Sequence, residues 1–376
     1  MPLKTGGQKN GAWGRRVGLL AGAAALAAVG WTLREVPAAL GARPSGERAN
    51  RVRRSKQFRD GAFRNTAPSS ILPPGTSRRV VRELLFGKAP RKPRLPVPLM
   101  TPGASAGGDL DAIWYGHSSA LIEIEGRRVL LDPVWSERCS PASFTGPRRL
   151  HPPPVPVYEL PELDAIVISH DHYDHLDMAT VRLLTRTQTA PFLVPLGVGA
   201  HLERWKVPAS RIVELDWDEE TTVSGIRFVA TAGRHFSGRA FRRDQTLWAS
   251  WVIAGERRKV FYTGDSGYFD GYAAIGAAHG PFDLSVVQIG AYSRGWPDIH
   301  MTPEEAILTH LDVRAGVLLP VHWGTFSLAP HAWSEPIDQL WREAKERDVR
   351  LVVPRPGERV AVDDPPTVDG WWQTIV

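Results

Sequence analysis

Cysteine is nearly absent from this chain of 376 residues, in which Cys139 is the only one. A single cysteine forms no intrachain disulfide and provides no zinc site built from paired cysteines. Any bound metal must therefore be held by His, Asp and Glu, which is more typical of an open catalytic site than of a closed structural one. The sequence also contains no internal repeat, so a solenoid or a propeller is not indicated.

Acidic residues are scarce in the first 100 residues, which carry 20 Lys and Arg against 4 Asp and Glu. The rest of the chain carries 26 basic and 36 acidic residues, so the net charge of +6 arises wholly in the N-terminal part. The acidic main region argues against a long groove for nucleic acid. A basic segment beside an apolar run favours anionic lipid head groups, although a solvated, disordered tail explains the charge equally well.

Long apolar runs are limited to one, at residues 17–33, which follows a basic N-terminus. Its length of about 17 residues is the short limit for a membrane helix, and the flanking charges predict a cytoplasmic N-terminus. Residues 1–42 are therefore predicted to be a signal anchor, which would place the rest of the chain at the membrane outside the cytoplasm. The alternative is a secreted protein whose signal peptide is cleaved near residues 39–41.

Two further segments follow in the predicted organisation. Residues 43–108 are rich in Arg, Pro, Gly and Ser and are predicted to form a linker with one short helix at 78–86. Residues 109–376 are predicted to form the folded domain, in which hairpins dominate early and strands alternate with helices late, ending with a strand at 350–353. This order predicts two mixed sheets covered by helices, a four-layer α/β/β/α sandwich.

The densest group of polar side chains lies at residues 170–177, directly after the apolar, β-branched run 164–169. That run predicts a buried strand, and Asp177 predicts the N-cap of a following helix. Because side chains alternate along an extended chain, His170 and His172 are expected to point toward one metal ion. Asp174 and His175 come after the chain has turned, so they can address a second ion nearby.

Three later residues occupy similar positions in the chain. Each follows a predicted apolar strand and lies in a glycine-containing turn. They are His235, Asp265 and His322. Together with the first group they supply five histidines and two aspartates, a donor set suited to Zn²⁺ and similar ions.

The series H-x-H-x-D-H, followed by a distant His, an Asp and a final His, is similar to the signature of the metallo-β-lactamase superfamily. The resemblance implies that superfamily's four-layer αββα sandwich and two Zn²⁺ ions per chain. It also implies a ligand set in which the first ion is held by His170, His172 and His235, the second by Asp174, His175 and His322, and both by a bridging Asp265.

A narrower resemblance is to the branch that contains N-acylphosphatidylethanolamine-hydrolysing phospholipase D. The motifs that carry it include Trp114–Ser119, Asp132-Pro133, Gly146–Arg149, Ile289–Tyr292, Met301–Glu305 and His322–Thr325. This resemblance implies a phosphodiesterase that acts on such phospholipids through a metal-bound hydroxide, since zinc lowers the pKa of its bound water to about 7. A lactonase of the sugar-phosphate lactonase type, with the same metal centre, is the alternative.

Four residues are predicted to be catalytic: Asp174, Asp265, His117 and His300. His117 follows a strand and either orients a metal ligand or ties a loop, and His300 precedes a helix N-terminus that suits phosphate.

Other polar residues are assigned less specific places. Asp132 is expected to orient a ligand or to be structural, and Tyr173 to touch substrate or to pack. Asp171 is expected behind the ligands or in solvent. The remaining expectations are a solvated loop for Arg148 and Arg149, a core position for Trp248, Trp251 and Trp323, and a surface position for His151, His201, His279 and His310.

Overall fold

The computed structural model describes residues 35–70, 73, 76–104, 108–239 and 242–376. Its strands are β1 (Phe58–Arg59), β2 (Ala62–Phe63), β3 (Leu110–Gly116), β4 (Ser119–Ile124), β5 (Arg127–Leu131), β6 (Ala165–Val167), β7 (Phe192–Pro195), β8 (Ile212–Leu215), β9 (Glu220–Val223), β10 (Ile226–Thr231), β11 (Ser250–Ala254), β12 (Lys259–Tyr262), β13 (Phe282–Gln288), β14 (Ala315–Val321) and β15 (Arg359–Ala361). Its α-helices are α1 (Gly46–Arg54), α2 (Ser77–Phe86), α3 (Met178–Thr187), α4 (Gly199–Arg204), α5 (Gly271–His279), α6 (Pro303–Asp312) and α7 (Glu335–Glu346).

Two mixed sheets form the centre of the fold. One has seven strands in the order β15-β3-β4-β5-β6-β7-β8, and the other has six in the order β14-β13-β12-β11-β10-β9. The strand predicted at 350–353 is reduced to a single parallel bridge between Leu351 and Leu318. Pro354 follows directly and has no N–H with which to extend the pairing. The next strand in the chain, β15, pairs with β3 at the edge of the other sheet.

Side chains at alternate positions of β3 face two different layers of the fold. Ala112 and Trp114 belong to the core between the sheets, whereas Ile113 and Tyr115 belong to the core that α3 and α4 cover. Helices α5, α6 and α7 bury their apolar residues on the other side, against the second sheet. Such a division follows from the two-residue period of a strand, and it confirms the predicted four-layer sandwich.

The strands that lead to the predicted site residues all point the same way. β5 and β6 are parallel, β12 and β13 are parallel, and β13 and β14 are parallel. β3 and β10 each lie two antiparallel steps from one of these strands, so they share the same direction. The loops after these strands therefore meet at one edge of the sandwich, where open sheets place their sites.

The segment between residues 46 and 63 packs against this sandwich, although its composition predicts a linker. It forms α1 and the β1–β2 hairpin, and Val52 and Phe63 are buried in the inter-sheet core. The two apolar residues stand among arginines and show no periodic pattern, so the sequence does not reveal the contact. The short helix predicted at 78–86 is present as α2.

None of the helices in the ranges given above is both long and apolar enough to cross a membrane. The anchor predicted at residues 17–33 lies outside those ranges.

Replacing Phe63 with Ala tests whether this segment is part of the folded body. Phe63 is 1% exposed and packs edge-on against Phe58 with ring centroids 5.1 Å apart. Removal of such a buried ring is expected to lower the free energy of unfolding by about 3–5 kcal/mol. Phe86→Ala is the matched control, because Phe86 is 75% exposed. Equal stability of the two variants in denaturant unfolding would show that the segment is a loose linker.

Candidate metal centre

The turn after β6 brings the first two histidines together. His170 Nε2 lies 2.8 Å from His172 Nδ1, so both rings reach one point as the alternation predicts. Asp177 caps α3, since its carboxylate accepts hydrogen bonds from the Ala179 N–H at 3.2 Å and from the Thr180 hydroxyl at 2.5 Å. The cap fixes where the chain leaves the turn and enters the helix.

The three later residues arrive at the same place from the second sheet. His235 Nε2 lies 3.2 Å from His172 Nδ1, which completes a group with His170 and His172. His322 Nε2 lies 3.3 Å from Asp174 Oδ2, and His175 Nε2 lies 3.6 Å from the same oxygen. The structure therefore brings six of the seven predicted ligands into two adjacent groups of three.

Asp265 lies between the two groups. Its Oδ2 atom is 3.0 Å from His322 Nε2 and 3.1 Å from His175 Nε2, and it is 3.9 Å from Nε2 of both His170 and His235. Gly264 allows this approach because its φ is +56° and a Cβ atom there would lie 2.5 Å from the Ser169 Cβ. One carboxylate oxygen is thus within reach of both groups.

Several buried nitrogen and oxygen atoms in these groups form no hydrogen bond. They include Nε2 of His175, Nε2 of His322 and Oδ1 of Asp265. Buried polar atoms without a partner are costly, and each of these atoms can offer a lone pair to a metal ion once any proton on it is lost. Histidine nitrogens and carboxylate oxygens are the donor types that zinc-like ions accept, so the residues fit a pair of metal ions.

The two carboxylates remain ionised in this setting. Burial favours the neutral acid, but the neighbouring His175 holds the pKa of Asp174 and of Asp265 well below the usual range. Burial likewise opposes protonation of the histidines, yet Asp265 and Asp174 raise the pKa of His175 well above its usual value. The same carboxylates raise the pKa of His322 to about 8. A metal cation would therefore compete with protons for these two rings.

The other group of histidines is neutral. Burial lowers the pKa of His170 and His235 well below the usual range, and it also lowers the pKa of His172. His235 Nδ1 lies 2.9 Å from the Ile299 carbonyl, so Nδ1 carries the proton and Nε2 keeps its lone pair for a metal ion.

Asp132 orients His175 from behind. Its Oδ2 atom lies 2.6 Å from His175 Nδ1 and accepts hydrogen bonds from the hydroxyls of Ser169 and Tyr262 at 2.5 Å each. The Ser169 N–H donates to the other oxygen at 2.7 Å. This arrangement fixes the tautomer of His175 so that Nε2 faces the candidate metal position. Of the two roles open for Asp132 in the sequence, its contacts fit the orienting one.

His117 holds Asp174 in a similar way. Its Nε2 lies 3.0 Å from Asp174 Oδ2, and burial lowers its pKa to about 3. Its backbone is fixed too, because the His117 N–H donates to Thr325 Oγ1 at 2.6 Å and its carbonyl accepts from the His322 N–H at 2.9 Å. His117 therefore ties the loop after β3 to the loop after β14 while it contacts a predicted ligand.

His300 faces the same site without a hydrogen bond on Nδ1, which lies 4.0 Å from Asp265 Oδ2. Burial lowers its pKa to about 3, so the ring is neutral at neutral pH. The helix start that follows it, at α6, is closed by a capping box between Thr302 and Glu305. The capping box occupies the start of this helix, so the imidazole of His300 is the polar group that this segment directs toward Asp265.

Arg239 is a residue of the site that sequence reasoning missed. It is 6% exposed, and its Nη1 donates to the carbonyls of Asp171 and Leu176 at 2.7 Å each, across the turn that carries the ligands. Its guanidinium lies 4.1 Å from the ring centre of Tyr173, whose hydroxyl donates to the Arg239 carbonyl at 2.6 Å. Nothing in its local sequence distinguishes it from the many other arginines.

Several polar residues that the sequence places at the surface or in solvated loops are in fact buried. His201 contacts Asp171 at 3.2 Å, and His151 contacts Thr325 at 3.1 Å. Each such ring is tied to a partner from a distant part of the chain, which a single sequence does not reveal. The buried residues for which that expectation was wrong are His151, His201, His310 and Arg149. The expected core positions of Trp248, Trp251 and Trp323 are confirmed.

The sequence of this chain is similar to those of several known proteins. Residues 127–323 match the family model described as the beta-lactamase superfamily domain. An uncharacterized protein of Mycobacterium tuberculosis is 51% identical over 369 residues, which cover 96% of this chain and 99% of that protein. The N-acyl-phosphatidylethanolamine-hydrolyzing phospholipase D 1 of Caenorhabditis elegans is 37% identical over 244 residues, which cover 61% of this chain and 68% of that protein.

Among solved structures, a possible metal-dependent hydrolase from Veillonella parvula is similar, with a TM-score of 0.54 at 16% identity. The match covers 68% of this chain and 99% of that chain. At this identity the likeness shows the fold alone.

Zinc affinity is expected to rise with pH between pH 6 and pH 8. The pKa of His322 is raised to about 8 and that of His175 is raised well above its usual value, so at neutral pH each ring must lose a proton to bind metal. Each displaced proton weakens binding about tenfold per pH unit below the pKa. Competition with a chelator at pH 6, 7 and 8, corrected for the chelator's own protonation, measures this. A flat affinity over that range would contradict the assignment of these rings as ligands.

Proposed function

The chain belongs to the metallo-β-lactamase superfamily of metal-dependent hydrolases, and we propose that it is a two-zinc phosphodiesterase of the phospholipase D type. The observation that carries the proposal is the convergence of two donor groups on the shared Oδ2 atom of Asp265. The substrate class, N-acylphosphatidylethanolamine-like phospholipids, is supported by the name of the Caenorhabditis elegans relative.

The donor groups suit the demands of a displacement at phosphorus. Two divalent ions held by these groups would supply electrostatic stabilisation for the attacking and leaving oxygens and would lower the pKa of bound water. The protein contributes fixed orientation, because Asp132 holds His175 and His117 holds Asp174. These contacts hold the ligand atoms in place before the substrate arrives, so little reorganisation is needed during the reaction.

His300 is proposed to contact the substrate rather than a metal ion. Its Nδ1 atom has no hydrogen bond, and its ring centre lies 5.2 Å from the ring centres of both His235 and His322. Since its pKa is lowered to about 3, the neutral ring can donate one hydrogen bond to a phosphoryl oxygen. The 12% exposure of its side chain fits a position at the open side of the site.

The decisive experiment is an assay of the zinc-loaded protein on a panel of phospholipids, cyclic nucleotides and lactones. We expect cleavage of N-acylphosphatidylethanolamine on the head-group side of its phosphodiester, with release of phosphatidic acid and an N-acylethanolamine. Asp265→Ala, which removes the shared oxygen, is expected to reduce the rate to background. Hydrolysis of lactones alone would contradict the phosphodiesterase proposal, and near-normal turnover by the Asp265 variant would contradict the two-metal arrangement.

We also propose that the protein is attached to a membrane through the run at 17–33, with the catalytic domain outside the cytoplasm. The first described residues support retention of that run, because they are bound to the domain. Glu35 pairs with Arg182 at 2.6 Å, the Ala38 carbonyl accepts from Trp205 Nε1 at 2.8 Å, and the Ala42 N–H donates to His201 Nδ1 at 2.9 Å. Cleavage near residues 39–41 would remove part of these contacts.

Two truncations separate anchoring from folding. Deletion of residues 1–33 removes the apolar run and keeps the contacts of Glu35, Ala38 and Ala42, so the protein is expected to leave the membrane fraction with its melting temperature unchanged. Deletion of residues 1–42 is expected to lower the melting temperature as well. Continued membrane binding of the shorter truncation would contradict the anchor.

A further inference from the structure

Asn65 forms a two-point contact with the backbone of His235. The His235 N–H donates to Asn65 Oδ1 at 3.0 Å, and Asn65 Nδ2 donates to the His235 carbonyl at 2.7 Å. The side-chain amide therefore pairs with both polar groups of the residue, as a neighbouring strand would. This contact joins a residue of the N-terminal segment to a predicted metal ligand 170 positions later in the chain.

The amide of Asn65 has all four of its hydrogen-bonding positions occupied. Besides the two bonds to His235, Oδ1 accepts from Trp248 Nε1 at 3.1 Å and Nδ2 donates to Ser69 Oγ at 2.8 Å. An asparagine offers two donors and two lone pairs, so this set fixes which end of the amide carries the oxygen. These four bonds therefore hold the Asn65 amide in the orientation that binds the His235 backbone.

His235 depends on such a contact because it lies beyond the ladder. The pairing of β10 with β11 ends at Thr231 and Ser250, and the isolated bridge between Arg234 and Gly267 stops one residue before His235. Within the described part of the chain, Asn65 is the hydrogen-bond partner of its peptide N–H and carbonyl. The ring is fixed separately through Nδ1 and the Ile299 carbonyl. Backbone and ring contacts together direct Nε2 toward His170 and His172.

The position of Asn65 is itself secured on both sides. Before it, the buried Phe63 donates its N–H to the Asp244 carbonyl at 2.8 Å. After it, Arg234 Nε donates to the Pro68 carbonyl at 3.0 Å, and the Ser70 N–H donates to Asp298 Oδ2 at 2.8 Å. The segment is therefore held against the loop that carries His235.

We propose that Asn65 is a positioning residue for metal binding, acting through His235 in the group formed with His170 and His172. It lies outside residues 127–323, the range matched by the family model, so the metal centre is completed by a part of the chain that the match does not include. This inference rests on the proposed metal binding and is independent of the proposed substrate.

The test compares Asn65→Asp with Gln245→Ala in the full chain. Asp keeps the acceptor for the His235 N–H but loses both donors and turns an oxygen toward the His235 carbonyl. Gln245 Nε2 donates to the Gly61 carbonyl at 3.0 Å, so its removal breaks a contact between the same segment and the same loop without touching a ligand. Zn²⁺ affinity by chelator competition, the visible spectrum of the Co²⁺ form and the melting temperature of the metal-free protein are measured for both.

We expect Asn65→Asp to weaken one of the two metal sites on the order of tenfold to a hundredfold, the range seen when partners of metal ligands are removed. Its Co²⁺ spectrum should change, whereas Gln245→Ala should keep both the affinity and the spectrum. Wild-type affinity and spectrum in Asn65→Asp, or a loss of affinity equal to that of Gln245→Ala, would overturn the proposal. If Asn65→Asp does not fold, Asn65→Ser, which is uncharged and too short to bridge the His235 peptide, is judged by the same two outcomes.

Discussion

The close packing of histidine and aspartate side chains at one edge of the sandwich is the constraint on which the rest of the structure depends. Five imidazoles and two carboxylates, those of Asp174 and Asp265, converge there, and several of their buried nitrogen and oxygen atoms form no hydrogen bond. Such a group is stable only when positive charge is added, as protons or as metal ions. The raised pKa of His175 shows how strongly the carboxylates attract that charge.

The fold meets this constraint by ending six strands at one edge. His117, Asp132 and the turn at His170 follow strands of the first sheet, whereas His235, Asp265 and His322 follow strands of the second. The layer packing brings the two sets face to face. Asp132 then fixes the orientation of the His175 ring, and the Ile299 carbonyl fixes that of the His235 ring. The loops carry the side chains of the site, and the rigid sheets hold those loops in fixed positions.

The sequence predicts which residues gather at the site because their residue types and spacing are local and rare. The spacing of His170, His172, Asp174 and His175 identifies one turn, and the strand-plus-glycine context identifies the distant partners. Supporting residues such as Asn65 and Arg239 could not be predicted, since they act through backbone atoms of residues far along the chain. The same reason explains why His151 and His201, each bonded to a distant residue, were expected at the surface.

Location of the metal ions tests the central claim most directly. Anomalous diffraction from crystals of the zinc-loaded protein, recorded on both sides of the zinc absorption edge, shows each ion independently of any substrate. The account predicts two peaks per chain, one among His170, His172 and His235 and the other among Asp174, His175 and His322, with Asp265 between them. A single peak, or a second peak away from Asp265, would contradict the shared two-metal centre.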